Sequence, residues 1–195
     1  MTDPDPPKPG MLRICVEHTP SPFDPKGADE YYKEIGLLVV AWGRLEGHFV
    51  ACLLTLLAMD EGHELGEQLP MDWKRRATMW RKAFETFTVL RPFKEAAMQL
   101  VTQIDDAALD RHAVVHSLWE RFRPEEQPTI DCVTIKAKNK TRNGLEVRRF
   151  PITLSSLQEA RKTINNLNMA LLPLSNFITR YRIAQKPPPS DIRTV

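Results

Sequence analysis

Asp110-Arg111-His112-Ala113-Val114-Val115-His116-Ser117-Leu118-Trp119 is the stretch on which the reading of this chain turns. Steps of three and four residues through it join Ala97, Val101, Ile104, Ala108, Arg111, Val115, Leu118 and Phe122, the spacing of one helix face. Only Arg111 breaks that apolar stripe. The spacing predicts a helix that starts near Pro92, which suits a first turn, and runs to about Phe122, where Pro124 stops it. A guanidinium on a core-facing stripe loses hydration that a carboxylate, a phosphate or several carbonyls must replace, so Arg111 should have a partner. His112 and His116 lie one turn apart on a neighbouring face, with Trp119 continuing it, and the long Arg111 side chain can reach His116. The pattern sets a permanent cation beside a group that exchanges protons near neutrality.

Working outward, Ile35, Leu38, Trp42, Leu45, Phe49, Cys52, Leu56 and Met59 give a long buried helix face between Asp29 and Met59. A second stripe on that helix, Val39, Gly43, Glu46, Val50, Leu53 and Leu57, is interrupted by Glu46 alone. Glu46 is therefore the expected carboxylate for Arg111, a buried ion pair that would fix helix register whether or not Arg111 also serves chemistry. Gly62, Gly66 and Pro70 mark a loop. After it Asp72 can cap a helix to about Thr88 whose apolar side is Trp73, Ala77, Trp80, Phe84 and Phe87. Aromatics at that spacing read as core in preference to a base-stacking platform. Lys74, Arg75, Arg76, Arg81 and Lys82 read as its solvated face, which would also suit phosphate contacts.

Beyond the decisive stretch the period changes. Ile130, Cys132, Thr134 and Lys136, then Val147, Arg149 and Pro151, alternate as strands, and Asn143-Gly144 is a hairpin turn signal, so a β-hairpin is expected at about 129–153. Lys136, Lys138, Lys140, Arg142, Arg148 and Arg149 outweigh Asp131 and Glu146 there. Such charge defends a sheet edge against aggregation, and it equally suits a phosphate backbone, for which Lys136, Lys138 and Arg142 are the candidate contacts. Ser155 or Ser156 should cap a last helix to about Arg182, with Glu159 completing a capping box and Pro173 kinking it.

The fold expected is mainly α: a bundle of about four principal helices over residues 28–184, with the hairpin between the third and fourth. Residues 1–27 hold seven prolines and read as an arm in which Met11–Val16 alone could add a short edge strand, and residues 185–195 read as a tail. One compact domain suits 195 residues that are 42% apolar. Lys and Arg number 27 against 25 Asp and Glu, so the net charge does not announce a polyanion partner and any such site must come from clustering. Cys15, Cys52 and Cys132 have neither disulfide-framework nor metal spacing and suit a reducing cytoplasm. The longest apolar run, Phe49–Met59, is 11 residues, which argues against a membrane span. No glycine-rich phosphate loop or cofactor motif is present, so no cofactor is expected.

Arg111-His112 followed by His116-Ser117-Leu118-Trp119 resembles the Arg-polar-x-x-x-His signature of the HEPN superfamily, small helical domains many of which are metal-independent ribonucleases. Trp42-Gly43-Arg44-Leu45-Glu46 is similar to a Trp-x-x-Leu/Ile-Glu element of several HEPN groups. The resemblance would cover roughly residues 30 to 183. It implies an endoribonuclease cleaving RNA by 2′-hydroxyl attack, with Arg111, His112 and His116 catalytic, Glu46 and Trp119 supporting, and a homodimer whose two motifs share one cleft. It equally implies the alternative, a non-catalytic module of a regulatory or defence system that binds RNA, a cognate antitoxin or another partner. From the residues alone a third reading arises, a metal held by His112 and His116 at i, i+4 with Asp105 or Asp106, but no second helix offers matching inward ligands.

Overall fold

In the structure, a computed structural model describing residues 28–123, 128–137 and 145–185, four long helices and one small sheet share a core. The first, α1 (Asp29–Leu57), carries Leu38, Leu45, Phe49 and Leu56 of its main stripe, and Leu53 of the second, at no measurable exposure. By length and composition alone α1 is long and apolar enough to cross a membrane, a test that the core helix of a bundle also passes. Here its inward face is core instead. A short 3₁₀ turn (Asp60–Glu64) leads to α2 (Trp73–Thr86), whose first turn is closed by Asp72 accepting the Arg75 backbone N–H at 2.9 Å. A second 3₁₀ turn (Thr88–Phe93) contains Pro92 and passes into α3 (Lys94–His116).

Helix α3 ends six residues before the expected Phe122. Ser117 turns extended (φ −80°, ψ 151°), its hydroxyl donates to the Ala113 carbonyl, and Trp119 Nε1 donates to the Val114 carbonyl at 3.2 Å. Two carbonyls of the last turn are thereby satisfied by side chains, which is what a helix end needs. Leu118–Arg123 is then a strand, β1, antiparallel to β2 (Thr129–Ala137), which pairs with β3 (Leu145–Thr153). The expected hairpin is present as β2 and β3, within a sheet of three strands ordered β1-β2-β3. Cys132, Ile130 and Ile152 close onto the helices.

The last helix, α4 (Leu154–Gln185), follows β3 with no intervening loop and continues through Pro173. Its cap lies two residues before Ser155, the earlier of the two expected positions, and is of different composition: Thr153 Oγ1 accepts the Ser156 N–H at 3.0 Å while Ser156 Oγ accepts the Thr153 N–H at 3.1 Å. This is the reciprocal capping-box geometry with Ser156 standing where Glu or Gln usually does. Helix α4 lies along α1, joined by buried Glu34, which accepts from Arg161 Nε at 2.8 Å, and by His48 Nδ1 against Asn168 Oδ1 at 3.2 Å. The 1–27 arm with Met11–Val16, Lys138, Lys140, Arg142, the Asn143-Gly144 turn and residues 186–195 lie outside the described residues.

Candidate functional site

Glu46 does not meet Arg111. Arg76 of α2, 13% exposed, donates from Nη1 to Glu46 Oε1 at 2.8 Å, and Trp42 Nε1 donates to Glu46 Oε2 at 3.2 Å. The expected pairing is thus corrected to a neighbouring helix. Sequence alone placed Arg76 on a solvated face because α2's own stripe leaves it there. The aromatic set behaves as core: Trp73 rests on Trp42 and Phe49, and Trp80 on Phe49 and Phe84, with ring centroids 4.7 to 5.8 Å apart. Trp80 Nε1 donates to the Ala97 carbonyl at 3.0 Å, and Trp73 Nε1 to Asp105 Oδ1 at 2.6 Å. Asp105 also binds Arg81 Nη2 at 2.5 Å, so it is engaged away from the histidines.

Arg111 instead turns toward the end of its own helix. Its Nη1 lies 3.3 Å from His116 Nε2, and its Nε is buried with no hydrogen-bond partner. Because a guanidinium only donates, Nε2 must present its lone pair, which selects the tautomer carrying its proton on Nδ1. The partner is neither a carboxylate nor several carbonyls, so the guanidinium has only part of the hydrogen bonding that burial demands. The His112 and His116 rings are 4.5 Å apart, centroid to centroid, and both residues are exposed.

Both imidazoles open into a groove of about 670 Å³ between the end of α3, β2, β3 and the start of α4. Leu109, Ile135 and Phe150 contribute apolar wall, Ser156 lies at the α4 end, and Arg148 is the cation among the lining residues; Arg111 stands outside it and reaches it through His116. Arg148 is the residue that sequence reading undervalued. It appeared there as one hairpin cation among several, and only the register Thr134↔Arg148 places it on the strand pair beside α3. Lys136 sits in register with Glu146, farther along the hairpin. Trp119 is outside the groove as well, stacked on Tyr32 of α1 with planes 3° apart and centroids 5.7 Å apart. It thereby ties the start of the sheet to the start of α1, a supporting position.

Among the described residues no group of three or more His, Cys, Asp or Glu side chains gathers as a metal set. Cys132, buried beneath the sheet, has its thiol pushed up to about 11, first by burial and then by the neighbouring Asp131 carboxylate, so it is not a nucleophile at neutral pH. Compared with protein-family models, with curated proteins and with solved structures, the chain matches none of them.

Proposed function

We propose that the groove cleaves RNA without a metal, by in-line attack of a 2′-hydroxyl on the adjacent phosphate. The observation that carries this reading is the pair of imidazoles 4.5 Å apart in one groove that also holds Arg148. The resemblance of Arg111-His112 and His116 to the HEPN signature points the same way. On entry of RNA the 2′-hydroxyl replaces Arg111 Nη1 on the lone pair of His116 Nε2, and His116 takes its proton as the 2′-oxygen bonds to phosphorus. His112, entering as imidazolium, gives a proton to the departing 5′-oxygen as the phosphorus–O5′ bond breaks. Released from His116, the Arg111 guanidinium joins Arg148 in holding the charge that develops on the phosphoryl oxygens. The products are a 2′,3′-cyclic phosphate and a 5′-hydroxyl.

This chemistry needs one chain, since both imidazoles come from the same α3, so the shared dimeric cleft implied by the resemblance is not required for it. The test is single-turnover cleavage of an unstructured RNA in EDTA. His116→Ala should lower the rate by about 10² or more while RNA binding stays within a few fold. Arg148→Ala should lower both rate and binding. Intact binding with no cleavage by the wild-type chain would instead favour the alternative, a non-catalytic RNA- or partner-binding module, and an EDTA-sensitive activity indifferent to His116→Ala would reject the mechanism.

A further inference from the structure

Helix α1 is apolar on two sides. Opposite its core face, Gly36, Val40, Gly43, Gly47, Val50 and Leu54 follow one another at steps of four and three, the seam spacing of two packed helices, with no charge among them. Val40 is 52% and Leu54 50% exposed, and a Cβ added at Gly36, Gly43 or Gly47 would meet nothing within 4 Å. Only 39% of the most apolar window of this helix is buried within the chain. A surface helix ordinarily turns charged residues outward, and one that is apolar all round is ordinarily covered all round.

We infer that a second copy of the chain covers this face, its α1 packed antiparallel about Leu45. The sizes along the seam are self-complementary only in that sense. Antiparallel pairing sets Gly43 against Gly47, Val40 against Val50 and Gly36 against Leu54, so the helices meet closest at the centre and each outer Leu fills the space over a Gly. Parallel pairing would set Gly on Gly at one end and Leu on Leu at the other, splaying the pair. From Gly36 to Leu54 the seam runs about 27 Å, and half the wall of a helix about 11 Å across over that length is about 470 Å² per chain. The pair buries about 900 Å², near the lower bound of about 1,000 Å² for a specific interface, so the dimer is concentration-dependent rather than obligate. Arg44 flanks the seam and the two-fold sets it beside its copy, so salt strengthens association by screening that repulsion. No α1 residue lines the groove, so this seam takes none of the groove's wall.

Sedimentation of the full chain tests this. The wild type should move from its 22.4 kDa chain mass toward twice that with rising concentration, and more readily in high salt. Gly43→Glu/Gly47→Glu should stay monomeric throughout, with unchanged helicity and a melting temperature at or above wild type, because both positions are open and Glu favours helix over Gly. Under oxidation Val40→Cys/Val50→Cys should cross-link into dimers above the wild-type blank, and Val40→Cys alone should not. A wild type monomeric at every concentration overturns the inference, as does a dimer that survives the two glutamates or a single Val40→Cys that cross-links. A monomer that binds neutral phosphatidylcholine vesicles through this face also overturns it, assigning the seam to lipid. RNA cleavage should be the same in the glutamate variant, so failure here and failure of the proposed chemistry are separate results.

Discussion

The two halves of α3 are built on opposite principles. In the first half, Trp80 and Trp73 hand their N–H groups to the Ala97 carbonyl and to Asp105, and Asp105 in turn holds Arg81. Ala97, Val101 and Ile104 there, with Trp80 against them, are at zero exposure, and the two indole N–H groups and the Asp105 carboxylate are paired. In the second half, one turn short of the helix end, Arg111 keeps a buried Nε without a partner and leans on an exposed imidazole. The difference teaches where stability is held and where it has been given up, because a fully paired region tolerates loss poorly while an unsatisfied one loses little.

The largest effect is expected at the paired end. Trp80→Ala should remove about 3–5 kcal/mol by opening a cavity against Phe49 and Phe84, read as a fall in the urea midpoint. A loss under about 1 kcal/mol would mean that this region is not the stabilising one. Next is the thiol beneath the sheet. The unfolded Cys132 thiol ionises near 9, while the folded one keeps its proton to about 11, so the unfolded state binds fewer protons between those values and stability falls as pH rises through that window. At about 1.4 kcal/mol per unit the loss approaches 2 kcal/mol by pH 11, and none is expected below pH 8. Cys132→Ala should start less stable but fall less steeply, keeping only the slope of the Cys52 thiol, which burial also raises, and equal slopes in the two proteins would refute the assignment.

Smaller still, Arg76→Ala should cost about 1–2 kcal/mol, a figure kept low because Glu46 is 38% exposed and water takes over part of the lost pairing. Arg111→Met should cost less than Arg76→Ala or even stabilise, since it removes an unsatisfied buried N–H and keeps the stem, while still lowering RNA cleavage. His116→Ala should change stability by no more than about 0.5 kcal/mol. If Arg111→Met destabilises as much as Arg76→Ala in the same urea titration, the contrast between the halves fails.

The four helices were legible because each carries a continuous stripe that burial honours, from Leu38 to Leu56 on α1 and from Leu157 to Ile178 on α4. The end of α3 was not legible, and the cause is specific. Between Trp119 and Arg121 the β1–β2 register shifts by a bulge, so Trp119 pairs with Cys132 and Phe122 with Ile130. Residues three apart thus reach one sheet face, the spacing of a helix, and periodicity could not separate the two. Of the candidate site, His112, His116 and the reach of Arg111 to His116 followed from positions on one helix. The Arg76–Glu46 pair and the entry of Arg148 depend on how separate elements meet, and neither leaves a trace in local spacing.

The direct passage from Thr153 into Leu154 gives β3 and α4 no spare residue between them. The Thr153–Ser156 hydrogen bonds close that junction, so β3 leaves α4 as an arm of nine residues, about 30 Å long, joined at an elbow. Arg148 rides on the arm five positions from the elbow, and the histidines stand on a separate support, α3. The distance between Arg148 and the imidazoles is therefore set by how the β3–α4 unit seats against α3, and by no single element's own geometry.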